Sequence, residues 1–283
     1  MGVTTTAQGT RYGFTAGGDN YQIQIAGTRE LKKKAYRLMH DIYEKIGYGH
    51  PHPTRMWYSL YELLPDTVTV LVLREGEAVA TMSVVFDSPF GLPDDENYAD
   101  ELDELRASGR KLAQIISLGV RTDVRGVTKV LVKLFNYAYF VARGLYGATD
   151  FVNTVIPRHA AFYYHKLLFQ KVGETRHQPK TGVDVVMIRL DFADAENEAH
   201  LEHGTLPGGP IHHSLYRQFK SVYEAPDIVT SLEKDLRRVT DADLRYFLDR
   251  KPTLWDNATP EQKMYFELMM GWHGENDEEV WAA

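Results

Sequence analysis

One stretch, Leu112 to Tyr146, constrains the fold more than any other in the chain. It opens on an apolar run, Ile115 to Val120, of the length of a buried strand. A polar connection follows from Arg121 to Thr128, with a single glycine at Gly126. Beyond it Val130, Leu131, Leu134, Phe135, Ala138, Val141 and Ala142 recur at helical spacing, which predicts a long amphipathic helix starting near Thr128. In such a strand, turn and helix the first free backbone N–H groups face the turn with the helix dipole behind them. That placement suits an anionic group such as phosphate. There is no Walker lysine, and a purely structural βα turn satisfies the pattern as well.

The flanking segments predict a mixed sheet. Residues 1 to about 19 are Gly/Thr-rich and read as a loose arm. Tyr21 to Ile25 alternates like a strand with one wet face. Thr28 to about Ile46 then reads as a helix with Ala35, Leu38, Met39, Ile42 and Ile46 as its apolar stripe. Residues 47–53 break it with two glycines and two prolines. His50 and His52 lie two apart in this break, but no third histidine or carboxylate sits at ligand spacing, so a surface loop is expected and no metal site. Thr67 to Leu73 and Ala78 to Phe86 form a hairpin around Gly76. Tyr98 to Arg110 reads as a short charged helix closed near Gly109. Phe151 to Ile156 is a strand, followed by a helix with Pro157 at its first position. Phe169 to Thr175 and Val183 to Leu190 close the sheet as an antiparallel pair. Strands alternating with helices, with hairpins at both ends, predict an α/β fold with helices on both faces. The expected division is an arm to 19, a core over 20–192 and a helical extension over 193–283. Within that extension Asp194 to Gly209 reads as a polar boundary, and helices are expected around Leu215 to Tyr223, Asp227 to Val239 and Asp241 to Leu248. A last helix starts at Thr259, capped with Gln262 and presenting Met264, Tyr265, Leu268, Met269 and Trp272.

Composition excludes several functions. The chain has no cysteine, which rules out disulfides, thiolate metal sites and a cysteine nucleophile. Its net charge of −7 argues against nonspecific nucleic-acid binding. No apolar run is long enough for a transmembrane helix, and the first residues lack a signal-peptide core, so a cytoplasmic enzyme is the expectation.

Val120-Arg121 followed by Arg125-Gly126-Val127 resembles the pyrophosphate and pantetheine loop of the GNAT acyltransferase superfamily. The later run FVNTVIPRHAAFYYHKLLFQKVGE resembles the next strand and helix of that fold. More narrowly, this run, YELLPDTVTVLVLREGEAVATMSVVFDSPFGLPDDENY and ELDELRASGRKLAQ resemble the FeeM-type N-acyl amino acid synthases. The resemblance spans roughly Tyr21 to Phe192. It implies a GNAT-like, mostly antiparallel sheet flanked by helices, and transfer of an acyl group from a thioester to an amine.

The same resemblance implies where the chemistry sits. Two parallel strands, Ile115–Val120 and Phe151–Ile156, splay apart and the pantetheine arm lies between them. A backbone N–H among Leu118, Gly119 and Val120 then holds the thioester carbonyl, an oxyanion contact worth about 3 kcal/mol. Arg121, Arg125, Gly126, Val127 and Thr128 face the donor's phosphate. Tyr163 is the candidate acid for the leaving thiolate. Alignment on the Phe162–Tyr163 pair selects it, whereas the spacing to Phe169 selects Tyr164. Both also suit plain aromatic packing. Many relatives carry a glutamate where this chain has Gln114, and an amide cannot accept the proton, though it can orient an amine or water. His159 remains as a candidate base, and capping of the helix start accounts for it equally.

No tightly bound cofactor is implied. The donor is an acyl-phosphopantetheine, carried by acyl carrier protein or by coenzyme A. Lys129 and Lys133, with the two arginines, form either a docking patch for an acidic carrier protein or a solvated helix face. Thr128-Lys129 in place of a Gly/Ala-rich loop end favours the carrier. The acceptor is a small amine or amino acid, with Trp57, Tyr58 and Tyr61 lining its pocket or packing it shut. The alternatives are a coenzyme A-dependent acetyltransferase and an acyl-binding protein that has lost its base. The last helix is expected to wall an acyl-chain tunnel, with a homodimer contact as the competing role.

Overall fold

The hairpin expected around Gly76 forms the middle of the sheet. A computed structural model describes residues 2–6, 9–48, 52–179, 182–204 and 214–270. In chain order these give β1 (Val3–Thr6), β2 (Gly9–Ala16), β3 (Asp19–Ile25), α1 (Arg29–Ile46), β4 (Val68–Arg74) and β5 (Glu77–Phe86). Then follow α2 (Asp95–Ala107), β6 (Leu112–Val120), α3 (Val127–Tyr139), β7 (Asp150–Val155), α4 (Pro157–Leu167), β8 (Gln170–Lys171), β9 (Arg176–Gln178) and β10 (Val183–Asp191). The C-terminal part adds α5 (Phe192–Glu202), α6 (Pro226–Asp235), α7 (Asp241–Leu248), α8 (Thr253–Asp256) and α9 (Pro260–Met270).

The strands lie side by side in the order β1-β2-β3-β4-β5-β6-β7-β10-β8, with β9 paired to β10. The β6–β7 pair is parallel, and the other described pairs are antiparallel. Helices cover both faces. Against one face α3, α5 and α6 bury Phe135, Phe192 and Leu232 on Ile115 and Phe151. Against the other, α1, α2, α7 and α9 bury Tyr36, Leu102, Phe247 and Phe266 on Leu71, Val85 and Val152. The C-terminal extension therefore shares both cores with the sheet. Tyr58 shows how closely: its ring stacks on Tyr36, and its hydroxyl donates to the Phe247 carbonyl at 2.8 Å.

Several sequence expectations need correction. Residues 9–16 are a sheet strand rather than part of a loose arm; Tyr12 and Ala16 are buried, and Asp235 of α6 accepts from the Thr10 N–H at 2.7 Å. The polar run after Phe192 is helical through Glu202, because Phe192, Ala195 and Ala199 supply a narrow buried face. Leu215 to Tyr223 holds only a single 3₁₀ turn, Tyr216–Gln218. Ile46 closes the apolar stripe of α1 but lies exposed at the helix end. The capping box of Thr259 and Gln262 forms, but α9 turns Phe266 inward and leaves Met264, Leu268 and Met269 exposed. Trp272 and His50 lie outside the described residues.

β6 and β7 pair over only Leu112–Gln114 and Asp150–Val152. One residue further, the Asn153 side-chain amide donates to the Ile115 carbonyl at 2.5 Å, so a side chain takes the place of the ladder. The two strands part beyond it, which makes a fork. Its closed end is tied by Asp150, whose buried carboxylate accepts from Arg110 Nε and Arg189 Nε, each at 2.6 Å. Both arginines also reach Asp191. Asp150→Asn should therefore cost about 2 kcal/mol, the worth of charged hydrogen bonds lost while Asp191 and solvent still serve the arginines. Urea unfolding measures it; a loss below about 0.5 kcal/mol would show that the tie is not needed.

Candidate active site

On the β5 side of the fork, β6 carries a bulge. Thr81 pairs with Gly119 and Ser83 with Ile116, so Ser117 and Leu118 together face Met82. Ser117 takes φ 50° to allow it. A bulge leaves one residue out of the ladder. It falls within Ser117–Leu118, and Leu118 is one of the residues expected to offer a free N–H to a thioester carbonyl.

The bulge is anchored from the other face by Glu62, in the 3₁₀ turn Tyr61–Leu63. Ser117 Oγ donates to Glu62 Oε1 at 2.5 Å, and Ser59 donates to Oε2 from its N–H at 2.8 Å and its hydroxyl at 2.5 Å. Glu62 is 1% exposed. A carboxylate this buried persists because each oxygen is hydrogen-bonded.

The crotch of the fork holds a second buried carboxylate, Asp94, just before α2. By position it caps that helix, yet its side chain makes no capping bond. Instead Oδ1 accepts from Thr154 Oγ1 of β7 at 3.0 Å, and the Asp94 N–H donates to Gln114 Oε1 of β6 at 3.1 Å. Oδ2 is buried with no hydrogen-bond partner among the described residues. Burial pushes the carboxyl up to about 6, against the pull of the Thr154 and Gln114 contacts. Tyr61 stands near enough for the charges of Asp95, Glu96 and Asp94 to add to the burial that lifts it to about 12.

The turn between β6 and α3 is closed by contacts within the protein. Tyr21 donates to the Arg125 carbonyl at 3.1 Å and accepts its N–H at 3.2 Å. Arg121 and Arg74 both bind the Asp123 carboxylate and hold it far below the usual carboxylate range. Arg121 is thus committed to the turn, whereas Arg125 is exposed. Gly126 takes φ 63°, and a Cβ there would stand 2.6 Å from the Gly17 nitrogen. The glycine permits the β2–β3 turn to approach; that contact accounts for it without any ligand. Gly119 has the same kind of reason, since a Cβ would meet Met39 Sδ of α1 at 2.4 Å. Val127 and Thr128 open α3 exposed.

The remaining expected residues are scattered. Tyr163 lies edge-on to Phe135, Phe162 and Phe169, and burial lifts its hydroxyl to about 12. His159 is exposed on the first turn of α4 beside Arg158, with no carboxylate to orient it among the described residues. Gln114 alone among the three expected catalytic residues reaches the crotch of the fork. Tyr58 is packed shut, while Trp57 and Tyr61 remain half-buried. His52 is used by its own turn, with Nδ1 2.8 Å from Thr54 Oγ1. Glu62, Asp94, Ser117 and Thr154 were not readable as site residues.

Behind the fork, between α3, α5 and the segment around Tyr216, lies a narrow apolar cavity of about 30 Å³ lined by Phe135, Phe151, Leu190, Ala195 and Phe219. α9 packs against Phe90 on the opposite face of the sheet. Its described residues do not line this cavity.

The structure of FeeM, an N-acyl amino acid synthase from uncultured soil microbes, matches with a TM-score of 0.55 at 20% identity, over 62% of this chain and 94% of that one. TofI, in a ternary complex with an inhibitor and MTA, gives 0.47 at 16% identity, over 60% and 90%. The AHL synthase LasI gives 0.44 at 12% identity, over 62% and 91%. No curated protein matches the chain. The fold is that of the GNAT acyltransferases, a mostly antiparallel sheet between helices, with a helical C-terminal region added. The family model of the N-acyl amino acid synthase FeeM matches residues 34–191, from within α1 to the last residue of β10. That span takes in both arms of the fork and the bulge on the β5 side of β6: the chain belongs to the FeeM N-acyl amino acid synthase family and is an acyltransferase.

Proposed function

We propose that this protein transfers a long acyl chain from an acyl carrier protein thioester to the amine of an amino acid or a similar small amine. The observation that carries the reading is the fork with its bulge, inside a stretch that matches the family model throughout. The pantetheine arm lies between β6 and β7 with its thioester carbonyl at the bulge near Leu118. The acyl chain turns toward the narrow cavity at Phe151 and Ala195, which opens further to receive it. The amine approaches from the face of α1 and α2, past Trp57 and Tyr61. Holding the two reactants in line supplies much of the rate.

A basic patch supports the carrier protein over coenzyme A. Lys129 and Lys133 of α3 stand with Lys220, whose position next to them is set by the fold. Burial, then the charges of Lys129 and Lys220, lower the Lys133 pKa. None of the three has an ion-pair partner among the described residues. In a chain of net charge −7 such a cluster suits an acidic protein surface. Reversing Lys129 and Lys133 to glutamate should weaken carrier binding roughly fivefold per charge at low salt and much less at high salt. Affinities that ignore both the charge reversal and the salt would move docking elsewhere.

The reading itself is tested with purified protein, a mixture of the natural amino acids, and donors of increasing chain length on carrier protein or on coenzyme A, with products read by mass spectrometry. N-acyl amino acids formed from long carrier-bound chains support it. Turnover from short coenzyme A thioesters alone would replace it with a coenzyme A-dependent acetyltransferase.

A further inference from the structure

We infer that Asp94 is the general base of this acyltransferase, accepting a proton from the acceptor ammonium at the crotch of the β6–β7 fork. The inference rests on the amine-acylation reading above and adds the group that Gln114 cannot supply.

Three observations converge on it. Asp94 is tied to both arms of the fork: its N–H binds Gln114, the last β6 residue paired to β7, and its Oδ1 accepts from Thr154, two residues past the last paired residue of β7. It therefore lies where the strands begin to part. Its carboxylate is turned away from the helix it would ordinarily cap, which leaves it available to the fork. Its Oδ2 is buried and has no hydrogen-bond partner among the described residues, a costly arrangement for an anion unless a donor arrives. An ammonium is such a donor. Glu62, the other buried carboxylate here, has both oxygens engaged by Ser59 and Ser117, so it supports the bulge.

The step balances with no further reactant. Asp94 takes one proton from the ammonium, which leaves a neutral amine. The amine nitrogen bonds to the thioester carbon, and the tetrahedral intermediate gives up its second N–H proton as the C–S bond breaks. The thiolate leaves with the electron pair and takes that proton. Asp94 then releases its own proton to solvent. Gln114 fixes the Asp94 backbone and Thr154 holds the oxygen that does not react.

Other ionisable groups face Asp94 from the elements around it. From its own helix come Asp95, held by Arg106, and Tyr98, with Arg176 of β9 over its ring at 4.5 Å. Tyr61 faces it from the 3₁₀ turn and titrates far above neutrality. The acid limb of the rate profile accordingly belongs to Asp94, with activity present above about 6 and lost as pH falls through that value.

The experiment compares wild type, Asp94→Asn and Thr154→Val with a decanoyl carrier-protein donor. The acceptor is either the amino-acid mixture or hydroxylamine, a weakly basic amine already neutral at pH 7. Asp94→Asn should lose roughly a hundredfold or more of the amino-acid rate, lose the acid limb, and keep hydroxylamine turnover close to wild type. Thr154→Val, which removes the hydroxyl that favours the charged form, should move the acid limb to higher pH. If wild type acylates amino acids and Asp94→Asn does so equally well, or keeps the acid limb, the base assignment falls alone. Should Asp94→Asn not fold, an unmoved limb in Thr154→Val overturns it. A wild type that acylates no amine overturns the amine-acylation reading and this inference with it.

Discussion

Gly126→Val is expected to destabilise the protein by about 4 kcal/mol with no donor present, the sum of a left-handed backbone forced on a branched residue and an overpacked contact. Gly126 holds φ 63°, and its Cβ would fall 2.6 Å from the Gly17 nitrogen and 2.9 Å from the Ala16 carbonyl carbon. Both neighbours are backbone, so no side chain can swing aside. The strain passes to Tyr21, which grips Arg125 next to the glycine. Donor binding weakens as a consequence, because the turn and the start of α3 shift together. Gly109→Val is the control: it has φ 81° with nothing near its would-be Cβ, so it meets the backbone cost alone. Urea unfolding without donor separates the explanations. If Gly126→Val is no less stable than Gly109→Val and only donor binding suffers, the glycine serves a phosphate, as the sequence pattern by itself had allowed.

How far the sequence carried depends on where each residue finds its partner. Strand, turn and helix over Leu112 to Tyr146 were legible because a local apolar pattern specifies them. The same holds for the hairpin at Gly76 and the capping box at Thr259. Residues 9–16 were not, since their Gly/Thr-rich run is held by pairing with β3 and by Asp235, far along the chain. α5 was hidden because only Phe192, Ala195 and Ala199 mark its inner face in an acidic run. At the site, Gln114 was singled out by comparison with its glutamate relatives, and the structure places it at the fork. Asp94 stood in Pro93-Asp94-Asp95-Glu96, which reads as a plain helix start. Only the fold brings Thr154 to it. Lys220 joins Lys129 and Lys133 for the same reason, and no spacing in the sequence foretells it.

Glu62→Ala should cost about 4 kcal/mol and abolish acyl transfer, whereas Glu62→Gln should retain most of the stability. The alanine removes the acceptor of both hydroxyls and of the Ser59 N–H, each within 2.8 Å, and leaves a cavity at a position 1% exposed. Unsatisfied buried donors cost about 1–3 kcal/mol apiece, although relaxation and entering water recover part. The glutamine keeps one acceptor oxygen and the volume, so the loss there is on the order of 1–2 kcal/mol. Catalysis responds more sharply than stability. Ser117 holds φ 50° in the bulge that Glu62 anchors, and a freed strand is expected to relax toward regular pairing with β5. Regular pairing would engage the backbone groups near Leu118 and narrow the fork. The readout that separates anchoring from general damage is the amide hydrogen exchange of Ser117 and Leu118 in Glu62→Gln, alongside turnover. Loss of turnover with exchange unchanged would give Glu62 a direct part in the reaction. Unchanged turnover in both variants would mean that the bulge stands without its anchor.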